Sequence, residues 1–220
     1  MSAWETLWSQ KQTLLNGFET TVQLFVVSSV GAFIMGCLLL VALEKGKGPL
    51  AIGVRLAVDA MRMMPFLVLV YLLYYGLPAV GVRLDALLIS YVALIAYHGL
   101  YFAEILRGAY VALPRGQSEA AKAHGYTRLA MYRRIILPQL ITRSAPMLGN
   151  QLIMCLKDTA FLSIITVQDL TGAATAIQSV YFIPVHAFVV AIGFYWLVSL
   201  AIEALVHKIT GYARRRGLVT

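Results

Sequence analysis

Charge is scarce in this chain. Asp, Glu, Lys and Arg supply 13% of its 220 residues, against about 25% in an ordinary soluble domain. Hydrophobic residues supply 60%, and the mean hydropathy is +0.78. That leaves too little polar surface to cover a water-soluble globule. Cysteine is limited to Cys37 and Cys155, both within apolar runs and away from any His, Cys or carboxylate at metal-ligand spacing. They read as small packing residues and identify no redox compartment. No G-x-x-x-x-G-K-[ST] loop is present to cradle ATP phosphates, and no Ser/His/Asp or Cys/His arrangement suggests catalysis. No cationic segment precedes the first apolar run, where Trp4, Glu5 and Trp8 stand instead, and no A-x-A-like site follows it. The expectation is a run that stays in the membrane rather than a cleaved signal.

What the chain has in abundance is long apolar runs, at about 20–43, 50–77, 85–106, 145–167 and 184–206. A hydrocarbon core of about 30 Å takes roughly 20 apolar residues as helix. Open strands leave backbone groups unpaired in lipid, and barrel strands alternate in runs of about ten. The expected fold is therefore all-α: one transmembrane domain over residues 1–220, an integral membrane bundle of about five helices.

The formal net charge is +8, yet the placement of the cations argues for a membrane rather than a nucleic acid. Fourteen of the 18 Lys and Arg fall in three segments. Lys45, Lys47 and Arg55 follow the first run. Arg107, Arg115, Lys122, Arg128, Arg133, Arg134 and Arg143 follow the third. Lys208 and Arg214 to Arg216 follow the fifth. The positive-inside rule then puts the N-terminus outside and the C-terminus in the cytoplasm, which an odd number of spans also requires.

The most basic stretch, about 114–138, contains EAAKAHGYTRLAMYRRIILP from Glu119 to Pro138. Ser118 is a candidate N-cap, and Gly125 stands where a left-handed residue would end a helix of about two turns. Thr127 can cap a second helix, Arg128 to Leu137, that Pro138 limits. Leu129, Tyr132, Ile135 and Ile136 fall near one face of it. An interfacial helix anchored to anionic lipid would have this pattern. So would a docking handle, and the small Ala120, Ala121 and Ala123 suit a protein groove better than lipid.

That stretch resembles the EAA loop of the membrane subunits of ATP-binding-cassette importers. The matching positions are Glu119, Ala120, Ala121, Gly125, Ile135, Leu137 and Pro138. MRMMPFLVLVYLLYYGLP, YFAEILRGAYVALPRGQSEAA and LPQLITRSAPMLGNQLIMCLKDTAFLSIITVQDLT are similar to the second, third and fourth spans of polar amino-acid permeases. The chain departs from that pattern at Met63 and Met64, where small residues usually stand, and at Ala160 and Phe161, which replace Ser-Leu. The resemblance implies a permease subunit of the bacterial inner membrane. Its partners would be a second copy or a homologous permease, an extracytoplasmic amino-acid-binding protein, and a cytoplasmic ATPase dimer that binds ATP and Mg. It implies no cofactor in this chain. Glu119, Ala120, Ala121, Gly125, Leu137 and Pro138 would couple to the ATPase.

Ionisable groups inside spans are costly and face a bundle interior or a wet cavity. Arg55, Asp59 and Arg62 share one helical face, either as an ion-pair ladder or with Arg62, Met64 and Pro65 lining the path. His98, Tyr101 and Glu104 follow at three-residue steps as a polar stripe, for structure or for substrate; Glu104 also has Arg107 in reach. Lys157 and Asp158 point apart on a helix, so each needs its own partner, which structural contacts or a broken helix lining a cavity would supply. With Thr159 they are the sharpest substrate candidates, Asp158 for an ammonium or guanidinium and Lys157 or Arg62 for a carboxylate. Rival readings are an ion-gradient-driven carrier or channel, and an assembly subunit for which charges at depth are dispensable.

Overall fold

The computed structural model describes residues 2–44, 48–114 and 116–215. Four cations behind the orientation reading, Lys45, Lys47, Arg115 and Arg216, lie outside the described residues. Every element among the described residues is helical.

Helix α1 (Ala3–Ser9) is closed by a capping box, in which Ser2 accepts from Glu5 N while the Glu5 carboxylate accepts from Ser2 N. α2 (Lys11–Glu44) begins about nine residues before the apolar run that announced it. It packs along α6 (Ala86–Val111). A Cβ on Gly36 would stand 2.7 Å from Phe102 Cβ and 3.0 Å from Ala103 N. Small residues permit such close approach of membrane helices. Gly36→Ala should therefore lower the thermal stability of the purified protein in detergent, by about 1–3 kcal/mol as overpacking does.

The 50–77 run is not one straight span. α3 (Pro49–Met63) has 15 residues, about 22 Å of helix. α4 (Phe66–Tyr71) continues through a wide π turn at Leu72–Gly76 into α5 (Leu77–Ala79). The two halves meet at 108°. Pro65 causes the break: it has no N–H, and it pushes Met64 into an extended conformation (φ −100, ψ 131).

The helix expected after Thr127 and the fourth span prove to be continuous. α8 (Arg128–Met131) passes through a π turn at Tyr132–Ile136 into α9 (Leu137–Asp158). Pro138 does not end the helix, because Leu137 N–H reaches back five residues to Tyr132 O. The chain widens just before the missing donor. Leu72–Gly76 stands in the same relation to Pro78. After Asp158 the helix tightens to 3₁₀ over Thr159–Ile165 and ends at left-handed Thr166.

α10 (Leu170–Tyr181) went unforeseen, since its twelve residues are too few to register as a span. It buries Leu170, Ala173, Ala174 and Ile177 and packs on α2 and on α11 (Pro184–Arg215). Asp169 caps it, accepting from Gly172 N at 2.8 Å, and Leu170 N donates to Thr21 Oγ1 at 3.0 Å. By length and composition, Lys11–Val41, Ala86–Val111 and Pro184–Arg215 can each cross a membrane. The total reaches five if the two bent pairs, Ala51–Met63 with Phe66–Ala79 and Arg128–Ile165 with Leu170–Tyr181 (47°), count as one span each.

Candidate functional site

Two helix breaks meet on one stretch of α6. Tyr97 OH donates to Met64 O at 3.1 Å, across the break made by Pro65. The next residue, His98, is fully buried and faces the other break. Its Nε2 lies 3.3 Å from Asp158 Oδ2, where α9 gives way to 3₁₀ helix. Its Nδ1 lies 2.7 Å from the Gln151 amide nitrogen. The Phe66 ring closes the group at 5.3 Å from Tyr97, 6.0 Å from His98 and 6.5 Å from Phe161. Interrupted helices at membrane depth free backbone and side-chain polar groups and are tolerated where they line protein or a wet cavity. Residues 64–66, 97–98 and 158–161 thus form one aromatic and polar junction.

The expected site residues do not all belong to it. Asp158 retains 13% of its side-chain surface, and it finds its partner in His98 on another helix. Thr159 is buried and its hydroxyl donates to Leu156 O at 2.7 Å. Lys157 is exposed, turned away from Asp158 as adjacent helical positions require. Tyr101 packs against Tyr97 with tilted rings whose centroids are 5.1 Å apart. Steps of three advance about 300° around a helix, so the polar stripe drifts and splits. Glu104 belongs to a different cluster, gripping Arg107 through two contacts of 2.6 and 2.7 Å.

That pair faces Arg55 and Asp59 across a cleft of about 250 Å³ between α3 and α6. Among the described residues no ion pair joins Arg55, Asp59 and Arg62 into a ladder. Arg62 and Pro65 are exposed and Met64 is half-buried. Sequence reasoning missed Tyr97 and Gln151. Gln151 had a signal, since it stands seven residues before Asp158 on the same face of one helix.

The basic stretch forms α7 (Gly116–Ala123), a corner and α8. The helix starts before Ser118, which is therefore inside it rather than at its cap. Gly125 does end it with a left-handed conformation (φ +73), and Thr127 Oγ1 does cap the next helix by accepting from Ala130 N at 3.4 Å. Glu119, Ala120, Ala123 and Gly125 are exposed. Ala121 is not: it is 2% exposed, packed in a core with Leu113, Met131, Tyr132 and Ile136. Leu129 is 79% exposed, so it does not join Tyr132 and Ile136 on the buried face. Gln139 donates to Gln117 Oε1 at 3.3 Å, tying α7 to α9. Leu137 is half-buried and Pro138 exposed at this joint. The result is a short helix anchored by one alanine and presenting Glu119 and Ala120 outward.

Residues 28–210 match the family model described as binding-protein-dependent transport system inner membrane component. The chain is 33% identical over 209 residues to the octopine transport system permease protein OccM of Rhizobium radiobacter, covering 90% of this chain and 85% of that one. It is 30% identical over 209 residues to the glutamine transport system permease protein GlnP of Escherichia coli strain K12, covering 94% and 95%. Among solved structures it is similar to "Crystal structure of an amino acid ABC transporter with histidines", with a TM-score of 0.84, 27% identity, and coverage of 96% of this chain and 99% of that one.

Proposed function

Because the chain belongs to the family of binding-protein-dependent transport system inner membrane components, among the amino-acid ABC permeases, we propose that it forms the path for a polar amino acid or its conjugate and couples that path to a separate cytoplasmic ATPase. The observation that carries the reading is the meeting of two broken helices on Tyr97 and His98 beside Asp158. A carboxylate at such a break, partly exposed, suits an ammonium or guanidinium group. Relatives named for octopine, glutamine and nopaline support substrates of that class.

The exposed face of α7 docks on the ATPase, which holds ATP and Mg. The N-terminus faces outward and the C-terminus the cytoplasm. A second copy or a homologous permease completes the pathway, and an extracytoplasmic binding protein delivers the ligand. ATP binding and release then shift the bundle between outward- and inward-open states by differential affinity.

The test is uptake by proteoliposomes containing the complex purified through a tag on this chain, with ATP on the ATPase side and the binding protein on the other. Labelled glutamine, glutamate, histidine, arginine and octopine form the panel. Uptake that needs ATP is expected; uptake driven by an ion gradient without ATP would replace this reading with the carrier.

A further inference from the structure

We propose that His98, fixed in one tautomer by Gln151, is a positioning residue that holds the Asp158 carboxylate for the cationic group of the transported amino acid. The inference rests on the reading that Asp158 faces the path. Its chemistry follows from the direction of the hydrogen bonds. Gln151 sets its amide nitrogen 2.7 Å from His98 Nδ1. An amide nitrogen only donates, so Nδ1 accepts, and the ring proton of the neutral imidazole sits on Nε2. Nε2 in turn lies 3.3 Å from Asp158 Oδ2. His98 is 0% and Gln151 7% exposed, which keeps bulk water from substituting for either partner.

Packing holds the ring in place, with Phe66 at 6.0 Å and Tyr97 at 5.4 Å between centroids. Gln151 and Asp158 are two turns apart on α9, so one side chain from α6 bridges both immediately before the helix changes form at Thr159. A neutral N–H 3.3 Å from Oδ2 can, once aligned, hold that oxygen without cancelling the carboxylate charge. A lysine or arginine in the same place would have neutralised it, and an apolar residue would have left it free to turn. His98 Nε2 is at ion-pair distance yet has no well-aligned hydrogen-bond acceptor. A cation drawn to the other oxygen of Asp158 would turn the carboxylate and complete that alignment.

The experiment measures KM and maximal rate of ATP-driven uptake in the same proteoliposomes, using whichever amino acid of the panel is taken up fastest. His98→Phe keeps a ring between Phe66 and Tyr97 but removes both nitrogens. Gln151→Met keeps the length of the side chain and removes its donor. Both should raise KM, His98→Phe by roughly 10- to 100-fold, the range for losing a hydrogen bond to a charged group, with the maximal rate nearly unchanged. His98→Gln, which returns an N–H donor to that region, should recover most of the loss. In an Asp158→Asn background, His98→Phe should add little, because the two residues act as one unit. A fall in maximal rate with KM unchanged, no rescue by glutamine, or an undiminished effect in the Asp158→Asn background would each show a merely structural histidine and overturn the proposal. If Asp158→Asn alone leaves KM unchanged, the substrate site itself is wrong, and that result is distinguishable from a failure of the positioning role.

Discussion

Glu119→Lys should reduce ATP-driven uptake by about thirtyfold or more, while the membrane subunit folds and inserts as before. The fold is indifferent because Glu119 is exposed on α7, and surface substitutions away from special contacts stay within about 0.5 kcal/mol. α7 is held by residues that the substitution does not touch: buried Ala121, the Gln117–Gln139 hydrogen bond and the Gly125 corner. In the proposed docking role, what changes is the charge offered to the ATPase. Removing one partner of a desolvated interfacial charge pair costs roughly 2–5 kcal/mol, and reversal adds repulsion. The readouts are uptake, co-purification of the ATPase, and thermal stability of the membrane subunit. Loss of uptake with an intact subunit supports the docking role. Unchanged uptake and co-purification would leave the stretch as a lipid anchor, with its arginines rather than its glutamate as the working part.

Ala121 marks where local sequence stops being informative in this stretch. The corner at Gly125 and the cap at Thr127 depend on one residue's φ or one hydroxyl, and both were readable. Which alanine of the three is buried depends on how α7 lies against Met131, Tyr132 and Ile136, and small size alone cannot decide that. Pro138 shows the same limit. A missing N–H is a sound reason to end a helix, yet a single widened turn at Tyr132–Ile136 accommodates it and carries the helix on to Asp158. Pro65 breaks its helix outright, and Tyr97 OH takes up the Met64 carbonyl left beside it. The difference lies in whether the turn before the proline widens, which apolar periodicity does not report.

The long apolar helices were legible for the opposite reason: lipid leaves a backbone few choices. The short α10, whose apolar residues are buried against α2 and α11, escaped that criterion. Within the junction, Asp158 and His98 stood out as costly polar residues at depth. Their pairing joins two helices far apart in sequence, and Gln151, the third member, carries no charge to draw attention to it.

Asp158→Asn should raise the KM for the transported amino acid by roughly 10- to 100-fold, the cost of losing a hydrogen bond to a charged group. The substitution keeps the shape of the side chain and its seat beside His98, so loss through misfolding is not expected to dominate. Maximal uptake at saturating substrate should persist, because binding rather than the ATP-driven conformational cycle has been weakened. The decisive comparison uses a competing analogue that lacks the α-amino group. If Asp158 receives the ammonium, the analogue should compete poorly with uptake in the wild-type protein, and this discrimination should largely vanish in Asp158→Asn. A substrate held instead by its guanidinium would show the same pattern with an analogue lacking that group. Equal losses for substrate and both analogues would mean that Asp158 supports the bundle through His98 without meeting the ligand. Lys157→Met provides the neighbouring control. Lys157 is exposed and directed away from Asp158, so the ammonium discrimination should survive its loss, and any rise in KM there should be confined to ligands that keep their carboxylate.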